Sequence, residues 1–324
     1  MRRCLGAALA VVTLIACTGR VEVKDVLRFD ESATGLDRID VETSNGAVRL
    51  TGDDSDTVSI VATRVVRARD ESRGQEYAQN VTVEITRERG TLRERTKTPS
   101  PNPLYIGSVS VEYSVSLPRH LSARAVSSNG AVDIISVDGS ADAGASNGAV
   151  TLADIGGEAK GRSSNGAVTL SNVGSVVEAT TSNGAVTVVC RAVSSSARIQ
   201  SDNGAVTLVV DGALGAAVTM GANNGAVSAS VRVLRGDIRL RAGSGAISIT
   251  VEDTLAGGID ARAGSGTVHL HVPREAAFSL EATSGGKSIS TPWGSGEREF
   301  GIEVNGGGPA VKLHSSSSSV RITE

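Results

Sequence analysis

Bulky aromatic side chains are nearly missing: one Trp, three Tyr and three Phe are spread over 324 residues. So little bulk excludes a thick globular core and leaves a thin one of stacked Val, Ile, Leu and Ala. Cysteine is as scarce. Of the three, Cys4 falls inside an N-terminal leader and Cys17 at its end, so Cys190 has no partner and an internal disulfide is excluded. Cys190 is expected to be a small buried hydrophobe in a strand rather than a reactive thiol. A basic excess is also lacking. The formal net charge is −3 and falls to −5 once Arg2 and Arg3 leave with the leader, so nucleic acid is not an expected partner. No Cys-x-x-Cys, phosphate-binding loop or Ser/His/Asp pattern is present, and no cofactor is implied.

What the chain does contain begins with a leader. Arg2 and Arg3 precede an apolar run, Leu5 to Ile15, which is too short to span a bilayer as a permanent helix. Ala16 and Cys17 follow, and Leu14-Ile15-Ala16-Cys17 resembles the lipobox of bacterial lipoproteins, in which the Cys becomes the lipidated first residue of the mature chain. Residues 1–16 are therefore expected to be a lipoprotein signal peptide. Cys17 would carry a lipid that ties the protein to a membrane at the bacterial cell envelope. An ordinary secretory signal with a chance Cys, or a short membrane anchor, is the alternative.

The dominant feature is repetition. The stretch S-N-G-A-V places Asn147, Asn165 and Asn183 exactly one 18-residue step apart, and drifting copies carry Asn45, Asn129, Asn203 and Asn224. Later copies replace Asn by Ser, at Ser244, Ser265 and Ser284, with a degenerate one near Ser317. A fixed period near 20 residues points to a solenoid. Around each Asn, apolar residues alternate with polar ones, as in Val150, Leu152 and Ile155 or Val168, Leu170 and Val173, while Thr151, Thr169, Thr187 and Thr207 point the other way. Two short strands and two corners fit into such a period. Fold class is thus expected to be all-β, a single-stranded parallel β-helix of about eleven coils, near 50 Å long at about 4.8 Å per coil and right-handed by default. A meander of hairpins built on Asn-Gly turns competes less well, because identical sequences in it would not superimpose.

In this reading Asn129, Asn147, Asn165, Asn183, Asn203 and Asn224 form a ladder of side-chain amides bonded from coil to coil. Gly130, Gly148, Gly166, Gly184, Gly204, Gly225, Gly245 and Gly266 turn the corners, supplying the positive φ that a corner demands. Residues 17–38 read as a tether and first strand. Residues 39–120 read as N-terminal coils with loop insertions, including a charged segment at Arg67 to Glu76 and a proline-rich one at Thr96 to Pro103. Regular repeats fill 121–283, and 284–324 reads as irregular C-terminal coils and a cap containing Trp293, with a last coil at Val311 to Ile322.

The tandem S-N-G-A-V-T-L copies, the strand ending Val115-Ser116-Leu117-Pro118, and Asn305-Gly306-Gly307-Gly308-Pro309 before a serine-rich strand together resemble a family of bacterial envelope proteins that carries an adhesin label and β-strand repeats. The resemblance covers roughly residues 36–324. It implies the fold, and it brings no catalytic residues with it.

Candidate chemistry is thin. A polysaccharide lyase or hydrolase on a β-helix needs carboxylates or bases converging on one groove. Here Asp133, Asp142, Asp154 and Glu158 do not recur at one position. His269 and His271 lie two apart on one strand face, yet no third ligand stands at metal spacing, so a surface pair is expected and no metal. The Gly-Asn repeats lack the Asp of calcium-binding nonapeptides. Arg232, Arg235, Arg239 and Arg241 are split between segments by Gly236 and read as a solvated face. The expected function is that of a lipid-anchored, non-enzymatic structural or adhesive surface, contacting the membrane through its lipid and an envelope protein or glycan through its loops. A carbohydrate-active enzyme is the alternative.

Overall fold

The computed structural model describes residues 20–286 and 288–324, and the backbone of two short segments, Ala8–Leu9 and Ala16–Cys17, that lie antiparallel to the strand Arg20–Ser32. The other residues of 1–19, which include most of the expected signal peptide, and the side chain of Cys17, on which lipidation is expected, lie outside the described residues. The protein is all-β, with one α-helix among the described residues. It divides into two compact units, Met1–Gly157 and Glu158–Glu324.

In the first unit the strand Arg38–Asn45 lies parallel between Thr91–Lys97 and Ser122–Asn129, and Val48–Asp53 lies parallel between Ile106–Pro118 and Val132–Val137. Ser122–Asn129 then pairs in parallel with Ala141–Ala145, and Val132–Val137 with the start of Val150–Ser163. The 84-residue gap between Asn45 and Asn129 is thus bridged in space, since the two residues are register partners. The chain between them builds antiparallel structure: Thr57–Ala68 sits between Arg20–Ser32 and Ile106–Pro118, and Thr82–Glu88 borders Thr91–Lys97.

The helix, Glu71–Asn80, occupies part of the charged segment that sequence patterning leaves as a loop. Its local signals are good. Asp70 caps it by accepting from the Arg73 N–H at 3.0 Å, Glu71 and Gln75 bond at 2.9 Å one turn apart, and no β-branched residue interrupts it. Only Gly74 and Ala78 are buried, which leaves no apolar stripe to announce it. Gly74 is needed for close approach: a Cβ there would meet Val23 Cγ2 at 2.7 Å.

In the second unit two rows of parallel strands run side by side in register. In one row Val168, Val186, Val206, Val227, Ile247, Val268 and Val320 stack as successive partners. In the other, Ala179, Ile199, Met220, Leu240, Ala261 and Leu313 do the same. All of these are buried, so the core is a set of apolar columns one side chain wide. Each column replaces bulk with repetition, which is how so few aromatics suffice.

The end of the chain corrects one expectation. The strands Ala310–Ser315 and Val320–Thr323 do not form the outermost layer. They insert between Ile259–Ala263 with Val268–His271 on one side and Phe278–Ser284 with Ile289–Thr291 on the other. The chain skips a slot and its C-terminus returns to fill it. Beyond, Glu299–Val304 runs antiparallel along Phe278–Ser284 and covers the open edge, and Trp293 stands edge-on to the buried Phe278 with ring centroids 5.6 Å apart.

Candidate functional site

The repeated motif is occupied with structure. In the first unit Asn129 Nδ2 donates to Asn45 Oδ1 at 2.7 Å and Asn147 to Asn129 at 2.8 Å. In the second, Asn183 donates to Asn165 at 2.7 Å, Asn203 to Asn183 at 2.8 Å and Asn224 to Asn203 at 2.8 Å. Donor and acceptor are used in turn, so an interior Asn has both ends of its amide engaged.

The motif glycines have a different reason from the one their position suggests. Of the corner series only Gly46, at φ 134°, has a left-handed backbone; Gly130, Gly148, Gly184, Gly204, Gly225, Gly245 and Gly266 do not. They are glycine because the backbones of successive repeats nearly touch. A Cβ on Gly204 would lie 2.0 Å from the carbonyl oxygen of Gly184, and one on Gly184 2.2 Å from that of Gly166. Left-handed backbone occurs instead at Ser136, Asp154 and Asn172, at φ 59°, 55° and 50°, again 18 residues apart. Asp154, a stray acid in sequence, thus stands at a corner where short polar side chains are favoured.

A second set of residues escaped sequence reading. Two positions before the Asn stands a buried Ser or Thr whose hydroxyl donates to the preceding repeat's glycine carbonyl: Ser127 to Gly46 at 2.8 Å, Thr181 to Gly166 at 2.8 Å, Ser201 to Gly184 at 2.7 Å and Ser315 to Gly266 at 2.9 Å. The same Ser201 hydroxyl accepts from the Gly204 N–H at 2.8 Å. The signal was present as the S/T two places upstream of Asn-Gly, masked by Ala at 145, 222 and 242.

The candidate reactive groups are dispersed. Asp133 pairs with Arg49 at 3.0 Å, Asp142 lies 4.0 Å from Arg124, and Glu158 lies 3.9 Å from Lys160. His269 Nε2 and His271 Nδ1 both meet Thr323 Oγ1 at 3.1 Å, and burial, with Arg321 and His271 nearby, lowers the His269 pKa. No group of three or more His, Cys, Asp or Glu among the described residues is placed to hold a metal. Arg232 pairs with Asp253 at 2.7 Å, while Arg241 reaches toward Asp260 at 3.9 Å. Cys190 is buried between Val173 and Val210, and burial pushes its thiol up to about 11.

The first unit is where chemistry concentrates. Glu94 is 1% exposed, neither of its oxygens has a hydrogen-bond partner, and burial raises its pKa from 4.5 to about 8. Nearby Tyr113 is also buried, its hydroxyl 2.6 Å from Thr96 Oγ1; burial and Glu94 together raise its pKa. Arg64 is buried with an ion pair to Asp25 and donates to the Val81 carbonyl at 2.7 Å. At the surface, the helix and the proline-rich loop face each other across an open cleft of about 650 Å³. Arg73, Tyr77 and Asn80 line one side, Pro99, Asn102 and Tyr105 the other. The Arg73 guanidinium lies 3.4 Å over the Tyr105 ring, and the Tyr77 hydroxyl donates to the Pro99 carbonyl. The two segments singled out as loops in sequence are therefore neighbours.

No family model matches the chain, and no curated relative matches it. Among solved structures it is similar to a "putative lipid binding protein" from Parabacteroides distasonis, at 13% identity over 93% of this chain and 97% of the other, with a TM-score of 0.36. It is also similar to a "putative adhesin" from Parabacteroides merdae, at 10% identity over 92% and 96% with a TM-score of 0.35, and to a "putative cell adhesion protein" from Clostridium sporogenes, at 11% identity over 92% and 98% with a TM-score of 0.22. These likenesses are distant in both sequence and superposition, so function is read from the residues of this chain.

Proposed function

We propose that this chain is a lipid-anchored, non-enzymatic parallel β-helix of the bacterial cell envelope, held at a membrane by Cys17 and serving as a structural or adhesive surface. One observation carries this reading: the residues that repeat are consumed by contacts between repeats. The Asn amides and the stacked glycines face the next copy of themselves, and the Ser and Thr hydroxyls bond the glycine carbonyl of the neighbouring repeat. What remains outward is a rank of small polar side chains, suited to many weak contacts. Specific recognition of an envelope protein or glycan belongs to the helix and the proline-rich loop of the first unit, where an arginine, two tyrosines and two asparagines line one cleft.

Two measurements test it. Replacing Cys17 by Ser is expected to abolish fatty-acid labelling and membrane fractionation; a variant that still labels refutes the anchor. Screening the protein against glycans and envelope proteins is expected to find a ligand whose binding is lost in Arg73→Ala or Tyr105→Ala and kept in Arg235→Ala. Turnover of a polysaccharide by the unmodified protein would instead favour the enzyme.

A further inference from the structure

The strand Arg20–Ser32 begins three residues after Cys17. Its first residues lie at one edge of the antiparallel sheet, for Val21 is the partner of Ala68 and Ala68 the partner of Ile106. Three features converge at this edge. The Arg20 guanidinium lies over Gly107, so close that a Cβ there would meet its Nη1 at 1.6 Å. Arg69 leaves the end of the central strand and donates its backbone N–H to the Tyr105 carbonyl at 2.8 Å. Leu104, three residues before Gly107, is 72% exposed, and it is the exposed large hydrophobic side chain among the described residues. The loop that carries it is built to hold it out: Asn102 Oδ1 accepts from the Leu104 N–H at 3.1 Å, and the Asn102 carbonyl accepts from Tyr105 and Ile106 at 3.0 and 2.9 Å.

Four arginines, Arg20, Arg67, Arg69 and Arg73, stand here with four acids, Glu22, Asp70, Glu71 and Glu76, but not all of them are paired. Glu22 pairs with Arg67 at 3.1 Å, and Asp70 with Arg73 at 3.4 Å. Arg20 and Arg69 have no carboxylate within ion-pair distance among the described residues. Cys17 is the antiparallel register partner of Arg20, so a lipid on Cys17 holds this edge at the bilayer surface. An exposed leucine beside two uncompensated arginines is the composition of a membrane-interface contact: the leucine enters the acyl boundary and the guanidinium groups meet phosphates.

We propose that the edge formed by Arg20, Arg69 and Leu104 docks onto an anionic phospholipid bilayer, as a second contact that fixes how the anchored protein stands on its membrane. This rests on the lipid-anchor reading. It also gives the anchor a purpose beyond attachment, since a lipid alone leaves the protein free to swivel.

The test uses the lipidated protein reconstituted into vesicles of phosphatidylglycerol and phosphatidylethanolamine, with an environment-sensitive fluorophore on Leu104→Cys or, for comparison, on the exposed Thr57→Cys at the opposite end of the same antiparallel sheet. Label at 104 is expected to emit blue-shifted and to be quenched by brominated lipid, label at 57 to do neither, and Arg20→Glu with Arg69→Glu to abolish the shift at 104. Water-like emission at 104 in vesicle-bound, lipidated protein overturns the docking and leaves the anchor standing; so does a shift that survives in the double variant. A mature N-terminus whose mass carries no acyl chain overturns the anchor and the docking together.

Discussion

The two units differ in their buried polar groups. In Met1–Gly157 three charged side chains, Asp40, Arg64 and Glu94, are buried beside the hydroxyls of Thr43 and Ser127; in Glu158–Glu324 the buried polar side chains among the described residues are Ser163, Thr181, Ser201, Ser284 and Ser315, all hydroxyls. Repetition explains the difference. A hydroxyl copied at one register meets the same backbone carbonyl position of the neighbouring repeat, glycine for Thr181, Ser201 and Ser315 and Ser318 for Ser284, so these copies are satisfied by the same kind of bond. A charge copied at one register would sit about 4.8 Å from its own kind, where repulsion in a poorly screened interior is severe. The irregular unit escapes this rule because its neighbours differ: Arg93, Asp40, Arg124 and Asp142 alternate in sign across four adjacent strands. Chemistry that needs a buried charge therefore belongs to the first unit.

Titration separates the two units most widely. Glu94 has a folded pKa of about 8 against an ordinary 4.5, so the folded state holds a proton that the unfolded chain has released. Stability of the first unit is then greatest below pH 4.5 and falls as pH rises through 8, by about 5 kcal/mol across the window for this one group. Glu94→Gln removes the slope, and its urea midpoint is expected to be flat over the same range and above that of the parent at the alkaline end. An unchanged slope in the variant would place the titration elsewhere.

Within the second unit the weak point is backbone spacing. Gly184→Ala puts a Cβ 2.2 Å from the Gly166 carbonyl oxygen, and about 3 kcal/mol of destabilisation is expected from the forced separation of repeats. Gly221→Ala is the comparison, since its Cβ would meet backbone no nearer than 3.8 Å; it is expected to be neutral or slightly stabilising. Equal losses in the two variants, read by chemical unfolding, would remove close approach as the reason for the motif glycine.

These contrasts also mark what could be read beforehand. The all-β character was legible because alternation in stretches such as Val150 to Ile155 carries the period of a strand directly. The helix Glu71–Asn80 was not, since it buries only Gly74 and Ala78 and shows no 3.6-residue stripe. The threading of the C-terminus was hidden for a different reason: Ser315 is the register partner of both Ala263 and Ser284, so Ser284-Gly285 is not the counterpart of Ser265-Gly266 that its letters suggest, and nothing local states which strand stacks on which. Among the site residues, the cleft joins Arg73 to Tyr105 across a sequence gap that only the fold closes. The hydroxyls before each Asn were visible but interrupted by alanine.

Smaller effects refine the account of the repeat. Asn183 donates to Asn165 and accepts from Asn203, so Asn183→Ala removes two exposed bonds, and a loss of about 1–2 kcal/mol is expected with the β signal in circular dichroism retained. Because both neighbours lose a partner, the double variant Asn183→Ala with Asn203→Ala should cost less than the sum of the singles. Strict additivity would mean that each amide acts alone.

The mildest test concerns the left-handed corners. Ser136, Asp154 and Asn172 hold equivalent positions at φ 59°, 55° and 50°, yet only the last is the residue type best suited to that backbone outside glycine. Ser136→Asn therefore installs in the first unit what the second already has, and about 0.5 kcal/mol of stabilisation is expected. Ser136→Val should lose more than that, because a β-branched side chain resists positive φ whatever its surroundings. If both variants unfold at the parental denaturant concentration, the corner conformation is set by the parallel strands on either side of it, and the residue there merely follows.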